Sequence, residues 1–157
     1  METETATRWL SDAEQCAWRT YLDVNRLLTY QMEKDLQPFG LTMNDYEILV
    51  NLSEADDRRM RMSDLAAATL QSKSRLSHQI TRMEKAGLVR RENCESDRRG
   101  LFAVLTDLGG ETMQKVAPHH VASVRRHFID MLTPEALAGL RDSLTPVADQ
   151  LRGIRKG

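Results

Sequence analysis

Residues 97–109 read D-R-R-G-L-F-A-V-L-T-D-L-G, and they constrain the fold more than any other stretch. Residues 101–105 are apolar and β-favouring, and too few to form a helix of their own. A second short run, residues 88–91, lies on the other side of the polar stretch Asn93-Cys94-Glu95-Ser96-Asp97-Arg98-Arg99-Gly100. Two short strands around a polar, Gly-ended tip predict a β-hairpin. Gly100 gives the tip a backbone freedom that other residues lack. Arg98 and Arg99 at that tip suit a phosphate-lined groove better than a protein core.

Just upstream, residues 72–86 form a basic amphipathic segment closed by Gly87. A helix followed by a hairpin with a cationic tip is the layout of a winged helix-turn-helix. The rest of the chain reads as helical. Ser11-Asp12-Ala13-Glu14 fits a capping box, opening a helix with Ala17, Val24, Leu27, Leu28, Met32 and Leu36 as its apolar stripe, ending near Pro38-Phe39-Gly40. Thr42 caps a second helix with Tyr46, Leu49, Val50 and Leu52 inward. Residues 54–61 are charged and read as a connection. Ser63 caps a short third helix over 64–69 carrying Leu65, Ala66 and Ala68. Leu70-Gln71 is the turn, and Ser72 caps the fourth helix. A long helix starts at Thr106 or Asp107 and runs to Phe128, with Val116, Val121 and Val124 apolar and a bend expected at Pro118. Thr133-Pro134 opens the last helix, whose stripe is Leu137, Leu140, Leu144, Val147, Leu151 and Ile154, with a kink or break expected at Pro146.

The expected class is therefore mainly α with a small β-hairpin wing, as one domain over 1–157. A winged helix-turn-helix lobe occupies 42–106, and terminal helices occupy 11–40 and 107–157. Each terminal helix has an apolar stripe that must be covered. A second copy of the same helices covers both, so the reading is a two-fold homodimer; an intrachain helix cluster is the alternative.

The formal net charge is −1, but its distribution is uneven. Residues 58–100 hold eleven Lys and Arg against five Asp and Glu, and the remainder eleven against eighteen. A basic middle between acidic flanks is the footprint of a nucleic-acid partner. Two cysteines, Cys16 and Cys94, make neither a metal cluster nor a disulfide framework. No signal-peptide core precedes the first helix, and no run reaches membrane-spanning length. The reading is a cytoplasmic protein with no membrane partner and no cofactor.

With Leu76, Ile80 and Met83 on the buried face of the fourth helix, Ser74, His78, Thr81 and Lys85 point the opposite way. Arg75 and Arg82 flank that face, and Ser72 and Lys73 stand at its start. Such a polar, basic strip can enter a major groove of double-stranded DNA. Arg75 is the candidate for bidentate contact with guanine. Ser74, Ser77 and His78 can meet base edges, and Arg82 and Lys85 phosphates. Arg90 and Arg91 are consecutive on a strand and face opposite sides, so at most one points at DNA.

The same residues resemble a known family. Asp97, Arg99, Leu105, Thr106 and Gly109 match the wing signature D-x-R-x-x-x-V-x-L-T-x-x-G of the MarR family of bacterial transcription regulators, with Ala103 in place of its usual Val. The stretch L-S-H-Q-I-T-R-M-E-K-A-G-L-V-R-R (76–91) resembles the family's recognition helix and first wing strand, and W-L-S-x-x-E-x-x-A-W-R (9–19) resembles members common in high-GC bacteria. The resemblance implies a homodimeric repressor on an inverted-repeat operator, with Arg99 inserted into the minor groove, Asp97 orienting an arginine and Arg98 near phosphate.

It also implies an effector, since many relatives release DNA on binding a small aromatic acid near the junction of the dimer helices and the DNA-binding lobe. Trp18, Arg19, Tyr21 and Tyr46 supply aromatic surface plus one cation for an aromatic or phenolic acid; the alternative is that Trp18 and Tyr46 pack the core and Arg19 is a surface charge. A thiol-redox regulator using Cys94 or Cys16 is the second functional reading. In the family's peroxide-sensing branch the cysteine position falls here on Trp18 and its tyrosine partners on Met32 and Met43, so Cys16 reads as a packed or idle thiol. Cys94 lies near Arg90 and Arg91, cations that lower a thiol pKa. His119, His120 and His127 lack a spacing that completes a zinc site. No nucleophile motif surrounds either cysteine, which argues against an enzyme, and the Arg98-Arg99 pair argues against a winged helix that binds only protein.

Overall fold

The computed structural model describes residues 7–94 and 97–154, with the side chains of 94 and 97–99 outside that description. The first helix, α1 (Asp12–Leu36), opens on the expected capping box: the Ser11 N–H donates to Glu14 Oε2 at 2.7 Å, and the Glu14 N–H donates back to Ser11 Oγ at 3.3 Å. Its last turns carry the buried Met32 and Leu36, whereas Trp18, Tyr21, Leu22, Val24 and Leu27 are exposed. A 3-10 turn through Pro38 ends at Gly40, whose φ of 68° is left-handed and suits glycine.

Thr42 caps α2 (Met43–Glu54) in a second reciprocal box with Asp45. Tyr46, Ile48, Leu49 and Leu52 are buried on it, with Val50 only partly covered. The segment read as a plain connection contains a short strand, β1 (Arg59–Arg61). Three residues reading R-M-R carry no periodic signal, and the strand exists because another strand is there to pair with it. The third helix, α3 (Met62–Ala68), starts before Ser63, with Arg61 in the N-cap position and no side-chain cap. Ser63 is therefore not the cap, and Ala68 is exposed rather than inward. Leu70 takes φ 56° in the turn, and Ser72 caps α4 (Lys73–Lys85) by accepting from the Arg75 N–H at 3.2 Å.

The wing consists of β2 (Val89–Cys94) and β3 (Asp97–Leu105), and the antiparallel sheet runs β1-β3-β2. Pairing extends to Cys94↔Asp97, past a register shift between Asn93 and Cys94. The strands are thus longer than the sequence suggests. Gly100 sits inside β3 rather than in the turn, and residues 98 and 99 belong to the strand arm.

Thr106 caps α5 (Asp107–His127), and α6 (Pro134–Ile154) follows Thr133, whose Oγ1 accepts from the Ala136 N–H at 3.2 Å. Both helices continue through their internal prolines, so the break considered at Pro146 does not occur. A proline removes one backbone donor, and the turns on either side keep theirs. The core joins α2, α3, α4, the sheet and Val116 of α5 around Ile48, Leu49, Leu52, Leu65, Leu76, Ile80 and Met83. Among its described residues α6 buries none, although its stripe is the most regular in the sequence.

Candidate nucleic-acid interface

The sequence L-S-H-Q-I-T-R-M builds α4 with two unlike faces. Leu76, Ile80 and Met83 are fully buried, which fixes the rotation of the helix about its axis. Lys73, Ser74, Arg75, Ser77, His78, Thr81, Arg82 and Lys85 are exposed. The strip predicted from helical spacing is therefore assembled as expected. Ser72 has a local task as well, capping the helix.

One buried position escaped the sequence reading. Gln79 reaches back to α2, its Nε2 donating to Asp45 Oδ1 at 3.0 Å. Asp45 has no exposed surface. Its other oxygen accepts from the Thr42 N–H at 2.9 Å, and Arg82 forms an ion pair with it. Burial alone raises a carboxyl pKa, yet the hydrogen bonds from Thr42, Gln79 and Arg82 outweigh it and hold Asp45 below the usual carboxylate range. Arg82, read as a phosphate contact, is thus shared: its side chain is half-exposed, but its guanidinium is tied to α2. An acidic residue in a capping box gives no sequence signal that it will also meet a helix more than thirty residues away.

The two wing arginines diverge as alternation requires. Arg90 faces out and pairs with Glu92. Arg91 turns onto α4, where it pairs with Glu84 and its Nη2 donates to the Ser77 carbonyl at 2.7 Å. Ser77 Oγ also accepts from Arg91, at 3.2 Å, so this serine faces the wing instead of standing free for a base edge. Between the start of α4, α3 and the wing lies a cleft of about 320 Å³ lined by Arg61, Ser63, Lys73, Ser77, Arg91 and Leu101, among others. Asp97, Arg98, Arg99 and Cys94, the wing residues singled out in the sequence, have side chains outside the described residues.

At the base of the wing, the L-T-x-x-G part of the motif has a packing role. The Thr106 hydroxyl donates to the Gly87 carbonyl at 2.6 Å and accepts from the Gly109 N–H at 3.0 Å. A Cβ on Gly109 would stand 2.1 Å from the Leu88 carbonyl oxygen. Only glycine allows α5 to approach the first wing strand this closely.

The four residues expected to hold an aromatic acid do not form one site within the chain. Trp18 and Tyr21 stack on the exposed face of α1 with ring centroids 5.9 Å apart. Tyr46 is buried, packed on His120 at 4.4 Å. Arg19 donates to Gln15 on its own helix at 3.3 Å. Positions 18 and 21 lie on an outward face of α1, whereas position 46 lies on the inward face of α2. Tyr21 instead lines an apolar groove of about 470 Å³ with Val24, Leu28, Phe128, Leu132, Leu140 and Leu144.

The histidines are also dispersed. His119 packs on Phe39, His120 on Tyr46, and His127 Nε2 lies 3.8 Å from Asp35 Oδ2. Among the described residues no cluster of three metal-ligating side chains forms. Cys16 is exposed rather than packed. No helix among the described residues is long and apolar enough to cross a membrane.

Comparison with known proteins agrees with this geometry. Residues 39–100 match the MarR family. The crystal structure of AbsC, a MarR family transcriptional regulator from Streptomyces coelicolor, superposes with a TM-score of 0.91 at 80% identity, covering 94% of this chain and 99% of AbsC. Sco3205, a MarR family regulator from the same organism solved in complex with DNA, superposes with a TM-score of 0.90 at 43% identity, covering 94% of this chain and 92% of that one. The transcriptional regulator PecS of Dickeya dadantii is 29% identical over 71% of this chain, and the chain spans 65% of PecS. A helix with one buried and one cationic face, a wing joined to it, and near-complete superposition on AbsC lead to one conclusion: the chain belongs to the MarR family of winged-helix transcriptional regulators.

Proposed function

We propose that the protein is a cytoplasmic homodimer that binds an inverted-repeat operator in double-stranded DNA and represses transcription until a small aromatic or phenolic effector releases it. The observation that carries the DNA-binding part is α4. Its apolar face is fully buried, so Ser74, Arg75, His78 and Lys85 must face away from the core, as a helix entering a major groove requires. Sco3205, at 43% identity, was solved bound to DNA. The homodimer is supported by the apolar residues left exposed on α1 and α6, among them Leu22, Leu27, Val147, Leu151 and Ile154. The effector is supported by a more distant relative, CouR from Rhodococcus jostii RHA1 at 25% identity, solved with p-coumaroyl-CoA. With Tyr46 buried apart from Trp18 and Tyr21, an effector site would draw on only part of the aromatic set, or on the second copy.

Operator binding by fluorescence anisotropy tests the assignment. Wild-type affinity is expected to fall steeply with salt, as counterion release demands. Arg75→Ala should relax discrimination by about 1–3 kcal/mol at one base pair of each half-site. Lys85→Ala should weaken all sequences alike and lower the salt slope by about one unit. Arg99→Ala should remove most operator affinity with the melting temperature unchanged, and Arg98→Ala should cost less. Retention of full discrimination by Arg75→Ala would refute the orientation given to α4, and full binding by Arg99→Ala the role given to the wing.

A further inference from the structure

We propose that Arg91 is a strut that sets the angle between the wing and α4, and that it serves operator binding from that position without touching DNA. The inference rests on the DNA-binding function proposed above. Arg91 stands on β2 opposite Ala103 of β3, so its backbone belongs to the wing. Its side chain leaves the sheet toward α4, where it meets Glu84, Ser77 and Thr81. The Arg91 N–H donates to Glu84 Oε1 at 2.9 Å, and the guanidinium pairs with the same carboxylate. Nη2 donates to the Ser77 carbonyl at 2.7 Å, to Thr81 Oγ1 at 3.1 Å and to Ser77 Oγ at 3.2 Å. Ser77, Thr81 and Glu84 follow one another at spacings of four and three, hence along one face of the helix. A single planar fork thus bridges two turns of α4.

This geometry suits a brace better than a phosphate contact. Only 21% of the Arg91 side chain is exposed, and its charge is met by Glu84. Arginine is the residue that can do this, because its donors are fixed in one plane, whereas a lysine ammonium is a single point on a flexible stem. The wing is already fixed at its root by Gly87, Thr106 and Gly109. β1 holds the β3 edge as far as Phe102, and Arg91 ties the opposite edge, β2, to α4. Cys94, paired with Asp97, lies three residues farther on, roughly 10 Å at the rise of a strand. A pivot of about ten degrees at the base would then move that pair by roughly 2 Å, enough to misplace a side chain meant for a narrow groove.

Two substitutions separate a strut from a phosphate contact, because the two roles predict opposite results. Glu84→Gln keeps Arg91 and removes its counter-charge. A phosphate-contacting arginine would be released and would bind DNA more tightly; a strut would be loosened and bind less. Arg91→Lys keeps the charge and loses the fork, so a phosphate contact would survive and a strut would not. We expect each variant to weaken operator binding by at least about fivefold, the scale of a lost charge-assisted hydrogen bond, with the salt slope of the wild type. Hydrogen exchange on the free protein gives a readout independent of DNA. Amides of β2 from Arg91 outward should exchange faster in both variants, with the buried face of α4 unchanged. Unchanged or tighter binding by Glu84→Gln, or unchanged β2 exchange in both variants, would overturn the proposal. Wild-type protein without salt-sensitive DNA binding would instead sink the functional assignment, while the exchange data still decided whether Arg91 braces the wing.

Discussion

At Asp45 a carboxylate with no exposed surface ties the start of α2 to α4 through Gln79 and Arg82. A buried acid is tolerated only when its hydrogen bonds are met, and here they are met from two helices. Removing the charge in Asp45→Asn should cost about 1–3 kcal/mol at neutral pH, discounted because Arg82 remains half in water. The pH dependence follows from the depressed pKa of the folded state. A carboxyl held below its unfolded pKa stabilises the fold fully above the ordinary carboxylate range and loses that contribution as pH falls through the folded pKa. Denaturation midpoints measured from neutral to acid pH should therefore converge, with the wild type losing more stability than Asp45→Asn. Parallel curves would mean that Asp45 is not the acid-labile link.

At the scale of elements, the root of the wing and α5 approach closely at Gly109. The Gly109 position faces the Leu88 carbonyl and Leu105 Cδ1, at 2.1 Å and 2.7 Å from where a Cβ would stand. A backbone oxygen cannot swing aside, so Gly109→Ala should lower stability by about 1–3 kcal/mol, the usual cost of overpacking. The neighbouring glycine is the control. A Cβ on Gly110 meets only the end of the flexible Arg58 side chain at 3.2 Å, and alanine favours a helix. Gly110→Ala should be neutral or mildly stabilising. Thermal unfolding of the two variants decides it; equal melting temperatures would contradict the close contact.

For the whole molecule, the unresolved balance is hydrophobic. Leu140, Leu144, Val147, Leu151 and Ile154 on α6, with Trp18, Leu22, Val24 and Leu27 on α1, leave a large apolar surface facing water. A patch of this kind on a folded chain is the mark of an interaction surface, and in the proposed homodimer a second copy would supply matching stripes under two-fold symmetry. Sedimentation at micromolar concentration should give twice the chain mass of 17.9 kDa. Leu151→Glu should shift the protein toward monomer and weaken operator binding, because each half-site then binds alone. A clean monomer that binds its operator tightly would refute the dimer.

What was legible in the sequence is what depends on local chemistry. Ser11, Thr42, Ser72 and Thr106 announced helix starts because a capping hydroxyl acts within three residues of itself. The orientation of α4 was legible because Leu76, Ile80 and Met83 repeat at the helical period, and the wing was legible as two short apolar runs around a polar stretch. Tertiary structure alone decided the rest. The strand at Arg59–Arg61 exists only through its pairing with β3. Asp45 and Gln79 meet across 34 positions, and Arg91 reaches Ser77 across 14. Trp18 and Tyr46, alike as aromatic residues, are sorted to the surface and to the core by which face of which helix packs against the lobe. A local pattern fixes which way a side chain leaves its own element; only the packing of one element on another determines what it meets.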